Sequence, residues 1–124
     1  MPRFTQDDAA SGPLVTGFAD GQFIVSGGIV RSVLMTPDWA EEWMPPPLDM
    51  LDASHVSPLL ALQPPPEFLI LGTGPAMAFP PRAFVKALEA QGIGVEAMDS
   101  KAAARTWGML RGEGRWIAAA LMPL

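Results

Sequence analysis

The first half of the chain alternates short apolar runs with pairs of turn residues. The runs cover Leu14–Phe18, Gln22–Ser26 and Ile29–Met35, and they are rich in the Val, Ile and Phe typical of β-strands. Asp20-Gly21 and Gly27-Gly28 lie between the runs and tolerate the positive φ angles that tight hairpin turns require. The pattern predicts an antiparallel meander.

Two short helical segments are predicted after the meander. Asp38 is placed to cap a turn in which Trp39 and Trp43, four residues apart, share one face. Ser57 followed by Pro58 is typical of a helix start, with Ser57 as the cap.

The second half has the pattern of alternating strands and helices. Residues 68–71 form an unbroken apolar run, which indicates a central strand covered on both faces. Pro80-Pro81 is expected to open a helix that Gly92 ends, and Ile93–Met98 is expected to be a second strand parallel to the first. A further helix should follow with Ala103, Thr106, Trp107 and Leu110 on its inward face, and Arg115–Met122 should form the last strand.

These elements predict one α/β domain with three layers over residues 14–124. We expect a mixed β-sheet with an N-terminal antiparallel meander and a C-terminal βαβαβ unit. The 124 residues are enough for one hydrophobic core and too few for two domains. Residues 1–13 are polar and are predicted to be a flexible arm.

Composition excludes several classes of protein. The chain has no cysteine and only one histidine, His55, so disulfides and thiolate metal sites are excluded and no metal or other cofactor is expected. The net charge of −5 argues against nucleic acid as a partner. No apolar run is long enough to span a membrane, and no secretory signal is evident at the start. We therefore expect a cytoplasmic protein.

Gly72-Thr73-Gly74 follows a predicted buried strand, which is the position of a dinucleotide-binding turn. The third glycine of that motif is missing, and an insert with two prolines separates the turn from the next helix. A sharp exit from the strand is the simpler interpretation. A small anion or other polar ligand at this turn is the alternative.

Asp99, Ser100, Arg105 and Thr106 form a second candidate group, at the end of one strand and the start of the next helix. Either Asp99 or Ser100 is expected to cap that helix, and Arg105 should point away from its apolar face. The functional alternative is an arginine-lined pocket beside the glycine turn.

We predict no catalytic residues. His55 lies too close in sequence to Ser54 and Ser57 for the geometry of a catalytic triad, and the chain has no nucleophile-elbow motif. The ligand-binding candidates are Gly72, Thr73, Gly74, Asp99, Arg105 and Thr106.

Several segments in combination resemble one family of small single-domain proteins of unknown function, which includes mitochondrial respiratory complex I assembly factor 3. The resemblance covers roughly residues 14–123. It is carried by the segments 27–28, 32–37, 68–74, 79–81, 92–99, 102–106, 113–115 and 118–123.

This resemblance implies a three-layer α/β domain without enzymatic activity and a protein partner, such as respiratory-chain or membrane-protein assembly machinery. It also matches Gly72–Gly74, Asp99, Arg105 and Thr106 to the family's own segments. The chain departs from the family at Ser100, where threonine is usual, and at Trp107-Gly108, where an aromatic residue precedes asparagine. The loss of that asparagine weakens any polar site built around it.

Three functions remain open at this point. The leading hypothesis is a non-enzymatic domain that binds a protein partner. The first alternative is a domain, with or without enzymatic activity, that binds a small anion or metabolite in a pocket beside Gly72–Gly74 and Arg105. The second alternative is a self-associating scaffold.

Overall fold

The computed structural model describes residues 3–4 and 12–124, which form two sheets and three α-helices. The strands are β1 (Arg3–Phe4), β2 (Val15–Ala19), β3 (Gln22–Val25), β4 (Gly28–Val30), β5 (Val33–Met35), β6 (Ala40–Glu42), β7 (Phe68–Gly72), β8 (Gly94–Met98) and β9 (Ala118–Leu121). The helices are α1 (Ser57–Leu60), α2 (Arg82–Glu89) and α3 (Ser100–Gly112), and two 3₁₀ turns cover Leu48–Met50 and Ala53–Val56.

The six-stranded sheet has the order β1-β6-β5-β9-β7-β8. Strands β9, β7 and β8 are parallel to one another, and β5, β6 and β1 are antiparallel to their neighbours. The predicted βαβαβ unit is therefore confirmed as β7-α2-β8-α3-β9. The connection from β7 to β8 and the connection from β8 to β9 run in opposite directions across the sheet. For crossovers of the same hand, this reversal places α2 and α3 on opposite faces of the sheet.

Two apolar clusters, one on each face of this sheet, make the three layers. One cluster joins Trp107 and Ala103 of α3 to Ile70, Ala119 and the inner residues of the three-stranded sheet. The other joins Phe84 and Leu88 of α2 to Leu69, Leu71 and Ala118. The predicted single three-layer α/β domain is confirmed.

The predicted meander is present, but it is a separate sheet of β2, β3 and β4. The run Ile29–Met35 was expected to be one strand, and this is wrong because the chain changes sheets at Arg31-Ser32. The first hairpin turns at Asp20-Gly21, as predicted. The second turns at Ser26-Gly27 rather than Gly27-Gly28, since Val25 pairs with Gly28 and both turn residues have positive φ.

The predicted helical turn at Trp39–Trp43 is wrong, because residues 40–42 form strand β6. The side chain of Thr36 accepts hydrogen bonds from the backbone N–H groups of Asp38 and Trp39, at 3.2 and 3.1 Å, and so turns the chain between β5 and β6. Asp38 therefore lies in a tight turn rather than at a helix cap.

The helices predicted after residue 56 are confirmed, and the one difference is the position of Ser57 at the start of α1. Helix α2 follows Pro81 directly, and its end is closed by hydrogen bonds from Gly92 N–H to the Glu89 carbonyl and from Ile93 N–H to the Leu88 carbonyl. Gly92 has the positive φ that this C-terminal motif requires. Ser57 is the first residue of α1 rather than its cap.

The predicted flexible arm over residues 1–13 lies mostly outside the described residues and stays a prediction there. Arg3–Phe4 pair with Ala40 and Glu41 at the edge of the large sheet. Pro13 is buried, and its carbonyl accepts a hydrogen bond of 2.8 Å from the indole N–H of Trp107. As for membrane insertion, none of the helices in the described ranges combines the length and apolarity of a transmembrane segment.

An ion pair joins the entries to β7 and β9. Arg115 donates to the Glu67 carboxylate through Nη2 at 3.0 Å and through Nε at 3.2 Å, and Trp116 N–H donates to the same carboxylate at 3.2 Å. The hydrogen bond from Arg115 lowers the pKa of Glu67 below its ordinary value of 4.5. A carboxyl group with a lowered pKa stabilises the fold above its ordinary pKa and loses this effect as the pH falls.

Glu67→Gln should therefore lower the urea midpoint of unfolding at neutral pH, and its difference from wild type should shrink as the pH falls below 4.5. The change is expected to be small because both partners are half exposed. Glu89→Gln, an exposed position on α2, is the control. A difference that grows towards low pH would contradict the assignment.

Candidate functional site

The ends of β7 and β8 lie side by side and bring two of the predicted segments together. The N–H of Thr73 donates to the carbonyl of Met98 at 2.8 Å, and the N–H of Ser100 donates to the carbonyl of Gly74, also at 2.8 Å. The glycine turn and the start of α3 therefore meet at one rim of the sheet.

The hydroxyl of Ser100 joins this rim to the end of β9. It accepts a hydrogen bond of 2.9 Å from Gly74 N–H and donates one of 2.8 Å to the carbonyl of Met122. Ser100 is fully buried, so these two bonds satisfy backbone groups that water does not reach. The N–H of Gly74 is thus occupied within the protein.

Asp99 caps α3. Its carboxylate accepts the N–H of Ala102 at 3.0 Å, and its carbonyl accepts the N–H of Ala103. The N–H of Ser100, also at the start of the helix, donates instead to the Gly74 carbonyl. The geometry favours the structural interpretation of Asp99 over an anion site at this helix start.

The Thr73 hydroxyl shapes the loop that leaves β7. It donates to the carbonyl of Ala76 at 2.8 Å and accepts the N–H of Ala78 at 3.1 Å. It also lies 3.2 Å from the carbonyl of Met98. A ligand that used this hydroxyl would have to displace bonds already made.

Gly72 permits the close approach of α3 to the sheet. A Cβ atom at this position would lie 2.7 Å from Ser100 Oγ and 3.0 Å from both Ser100 Cα and Leu121 Cδ2. The glycine motif therefore serves helix packing at its first position rather than contact with a phosphate.

Arg105 and Thr106 lie away from this rim. Arg105 is exposed on α3, as expected, and the Thr106 hydroxyl contacts the sulfur of Met98 at 3.4 Å. Neither residue lines the cleft described next. Of the six predicted ligand-binding residues, only Thr73 and Gly74 do so.

An open cleft of about 640 Å³ lies beyond the carboxyl ends of β7 and β9, and we call it the proline cleft. Carboxyl ends of parallel strands are the usual location of binding sites in α/β proteins. The residues that line it are Arg31, Ser32, Glu42, Trp43, Met44, Pro45, Pro46, Pro47, Leu48, Thr73, Gly74, Pro75, Met122 and Pro123.

The polar groups on the floor of the cleft are already paired. The indole N–H of Trp43 donates to the carbonyl of His55 at 2.9 Å, and the N–H of Met122 donates to the carbonyl of Gly72 at 3.0 Å. Within the described part of the chain, the side chains of Arg31 and Glu42 have no hydrogen-bond or ion-pair partner. These two side chains supply the charge available to a ligand.

Sequence reasoning missed most of the cleft. Its walls come from segments around residues 31–32, 42–48, 73–75 and 122–123. The pairing of β5 with β6 and β9, and of β9 with β7, brings these segments together. The triple proline at residues 45–47 is the sequence signal that could have indicated one of these walls.

A smaller cavity of about 230 Å³ shares Glu42, Trp43 and Met44 with the proline cleft and includes His55. His55 Nδ1 accepts the N–H of Asp52 at 3.0 Å, and the Asp52 carboxylate accepts the N–H of Ser54 at 2.8 Å, so His55 belongs to a capping box. The hydrogen bonds from Ser54 lower the pKa of Asp52. Within the described ranges, no group of three or more His, Asp or Glu side chains is placed to hold a metal ion.

Fold and site together define a small three-layer α/β domain with an open cleft at the ends of its parallel strands. The chain belongs to the family described as protein of unknown function (DUF498/DUF598), which matches residues 15–122.

Three similar proteins come from bacteria. An uncharacterized protein of Rhodobacter capsulatus is 32% identical over 110 residues, covering 89% of this chain and 84% of the relative. A crystal structure of a protein from Bordetella parapertussis has a TM-score of 0.79 at 35% identity, covering 90% of this chain and 96% of that one. A Mth938-like domain of Bordetella pertussis has a TM-score of 0.76 at 30% identity, covering 99% of this chain and 92% of that one.

Ser100→Ala should lower the free energy of unfolding by about 2–4 kcal/mol, because each buried backbone group left unpaired costs about 1–3 kcal/mol. Urea unfolding measures this loss. Arg105→Ala is the matched control on the same helix, and it should stay within about 0.5 kcal/mol of wild type. Equal stability of the two variants would contradict the role given to Ser100.

Gly72→Ala should destabilise the fold by about 1–3 kcal/mol, since the new Cβ atom would displace the backbone of α3. Gly108→Ala makes the same chemical change at a helical position with open space around it, and it should stabilise the protein by about 0.5–1 kcal/mol. Thermal unfolding of both variants tests the pair. A neutral effect at Gly72 would mean that α3 does not depend on close approach there.

Proposed function

We propose that this protein is a non-enzymatic binding domain that recognises a protein partner through the proline cleft. The observation that carries the proposal is the cleft itself, with apolar walls, a floor whose polar groups are internally paired, and an open mouth. Such a surface fits burial of apolar side chains better than it fits acid–base or nucleophilic chemistry.

The apolar surface continues outside the cleft. Met44, on its wall, is 82% exposed. The loop that continues from Pro75 carries Met77 and Phe79, which are 48% and 84% exposed. Exposed methionine and phenylalanine side chains beside a cleft are typical of surfaces that another protein covers, because water contact with them is unfavourable.

The resemblance to a family that includes a respiratory complex I assembly factor supports a role in assembly. A domain that covers apolar segments of an unassembled protein would serve the biogenesis of a respiratory or other membrane-associated complex. We expect the protein to act in the cytoplasm, the location predicted from the sequence.

A small-anion or metabolite-binding domain is the second candidate. The cleft volume lies within the range of about 300–1,000 Å³ that is usual for small-molecule sites, and Arg31 offers a cation. Against it, Arg105 is absent from the cleft, Gly74 N–H is occupied by Ser100, and Glu42 places a negative charge on the same wall. These features favour the protein partner.

Met44→Glu should abolish partner capture, because it places a charge on the apolar wall that the partner would have to desolvate. Tagged wild type and variant are compared by pull-down from cells of the encoding organism, with quantitative mass spectrometry. Met109→Glu, a 62% exposed methionine on α3 outside the cleft, is the matched control.

The proposal requires a protein that wild type and Met109→Glu retain and Met44→Glu loses at least tenfold. If all three chains capture the same proteins to the same extent, the proline cleft is not the binding surface. Circular dichroism should show the same fold for the three chains, because both methionines are exposed.

A further inference from the structure

We propose that the proline cleft takes an uncharged, extended peptide segment of the partner, with apolar side chains against the prolines and backbone carbonyl and N–H groups bonded to Arg31 and Glu42. This inference rests on the proposed function and names the chemistry of its ligand. It follows from the donors, the charges and the register of the residues that line the cleft.

The walls lack the donors that strand addition needs. Five of the lining residues are prolines, which carry no N–H, and the N–H of Gly74 is held by Ser100. A peptide docked here cannot form a β-ladder along this wall, because a ladder needs donors and acceptors from both strands. Side-chain burial against Trp43, Met44 and the prolines must therefore supply most of the affinity.

Arg31 and Glu42 both line the cleft. Glu42 pairs with Val33 across β5 and β6, and the N–H of Trp43 donates to the carbonyl of Ser32 at 3.0 Å, so Arg31 directly precedes the last residue that is joined to this ladder. A guanidinium group donates hydrogen bonds and a carboxylate accepts them. The backbone of an extended segment matches these two side chains, since a carbonyl accepts from Arg31 and an N–H of another peptide group donates to Glu42.

Charge decides between a neutral and an anionic ligand. Arg31 and Glu42 together contribute no net charge to the cleft, and the chain as a whole carries −5. An anion at Arg31 would meet repulsion from Glu42, which lines the same cleft, and from the rest of the molecule. A neutral segment uses both side chains without this cost.

The test is an NMR titration of the full chain with three acetylated and amidated pentapeptides. The first contains only leucine and serine, and the other two have one serine replaced by glutamate or by lysine. The neutral peptide should shift the Trp43 indole N–H and the Met44 methyl resonances, and the glutamate peptide should bind several-fold more weakly. Tighter binding of the lysine peptide than of the neutral peptide would contradict an uncharged ligand.

Arg31→Ala and Glu42→Gln should each lower the affinity for the neutral peptide by about 3- to 10-fold, as expected for loss of one hydrogen bond to a charged side chain. Met109→Glu is the control and should leave binding unchanged. Tighter binding of the glutamate peptide, or shifts that avoid Trp43 and Met44, would overturn the inference.

The two proposals fail in different ways. If Met44→Glu loses the partner while the neutral peptide causes no shifts, the cleft binds a partner of other chemistry and only this inference is wrong. If the neutral peptide binds at the cleft while Met44→Glu retains every captured protein, this inference about peptide binding is supported. The proposed function, recognition of a protein partner through the cleft, is then wrong.

Discussion

One buried hydroxyl group holds together the edge of the sheet on which the site depends. Ser100 Oγ accepts from Gly74 N–H after β7 and donates to the Met122 carbonyl after β9, while Ser100 N–H donates to the Gly74 carbonyl. These bonds fasten the first turn of α3 across two parallel strands. They need a glycine at 72, since any side chain there would meet Ser100.

These hydrogen bonds of Ser100 determine which groups of the cleft are available to a ligand. Because the strand ends satisfy one another, the floor presents apolar atoms and proline rings, and the available charges lie on the side wall at Arg31 and Glu42. The glycine turn that first suggested phosphate binding is thereby part of the scaffold. The proposed binding surface lies in the segments that surround it.

Local signals in the sequence predicted the elements well where the cause was local. Asp20-Gly21 forms a hairpin turn, Gly92 ends α2, and Asp99 caps α3 because each depends on the conformation of a few adjacent residues. The four-residue spacing of Trp39 and Trp43 misled the prediction, since pairing with β5 overrides that helical pattern. The cleft depends on contacts between distant strands, such as Val33 with Leu121, which no local pattern reports.

Amide hydrogen exchange at Gly74 tests the central claim most directly. If its N–H donates to the buried Ser100 hydroxyl, it should exchange far more slowly than the exposed loop amides of Ala76 and Met77 that follow it. Exchange of Gly74 as fast as that of Ala76 and Met77 would show that the N–H is free, and the glycine turn would again be open to a ligand.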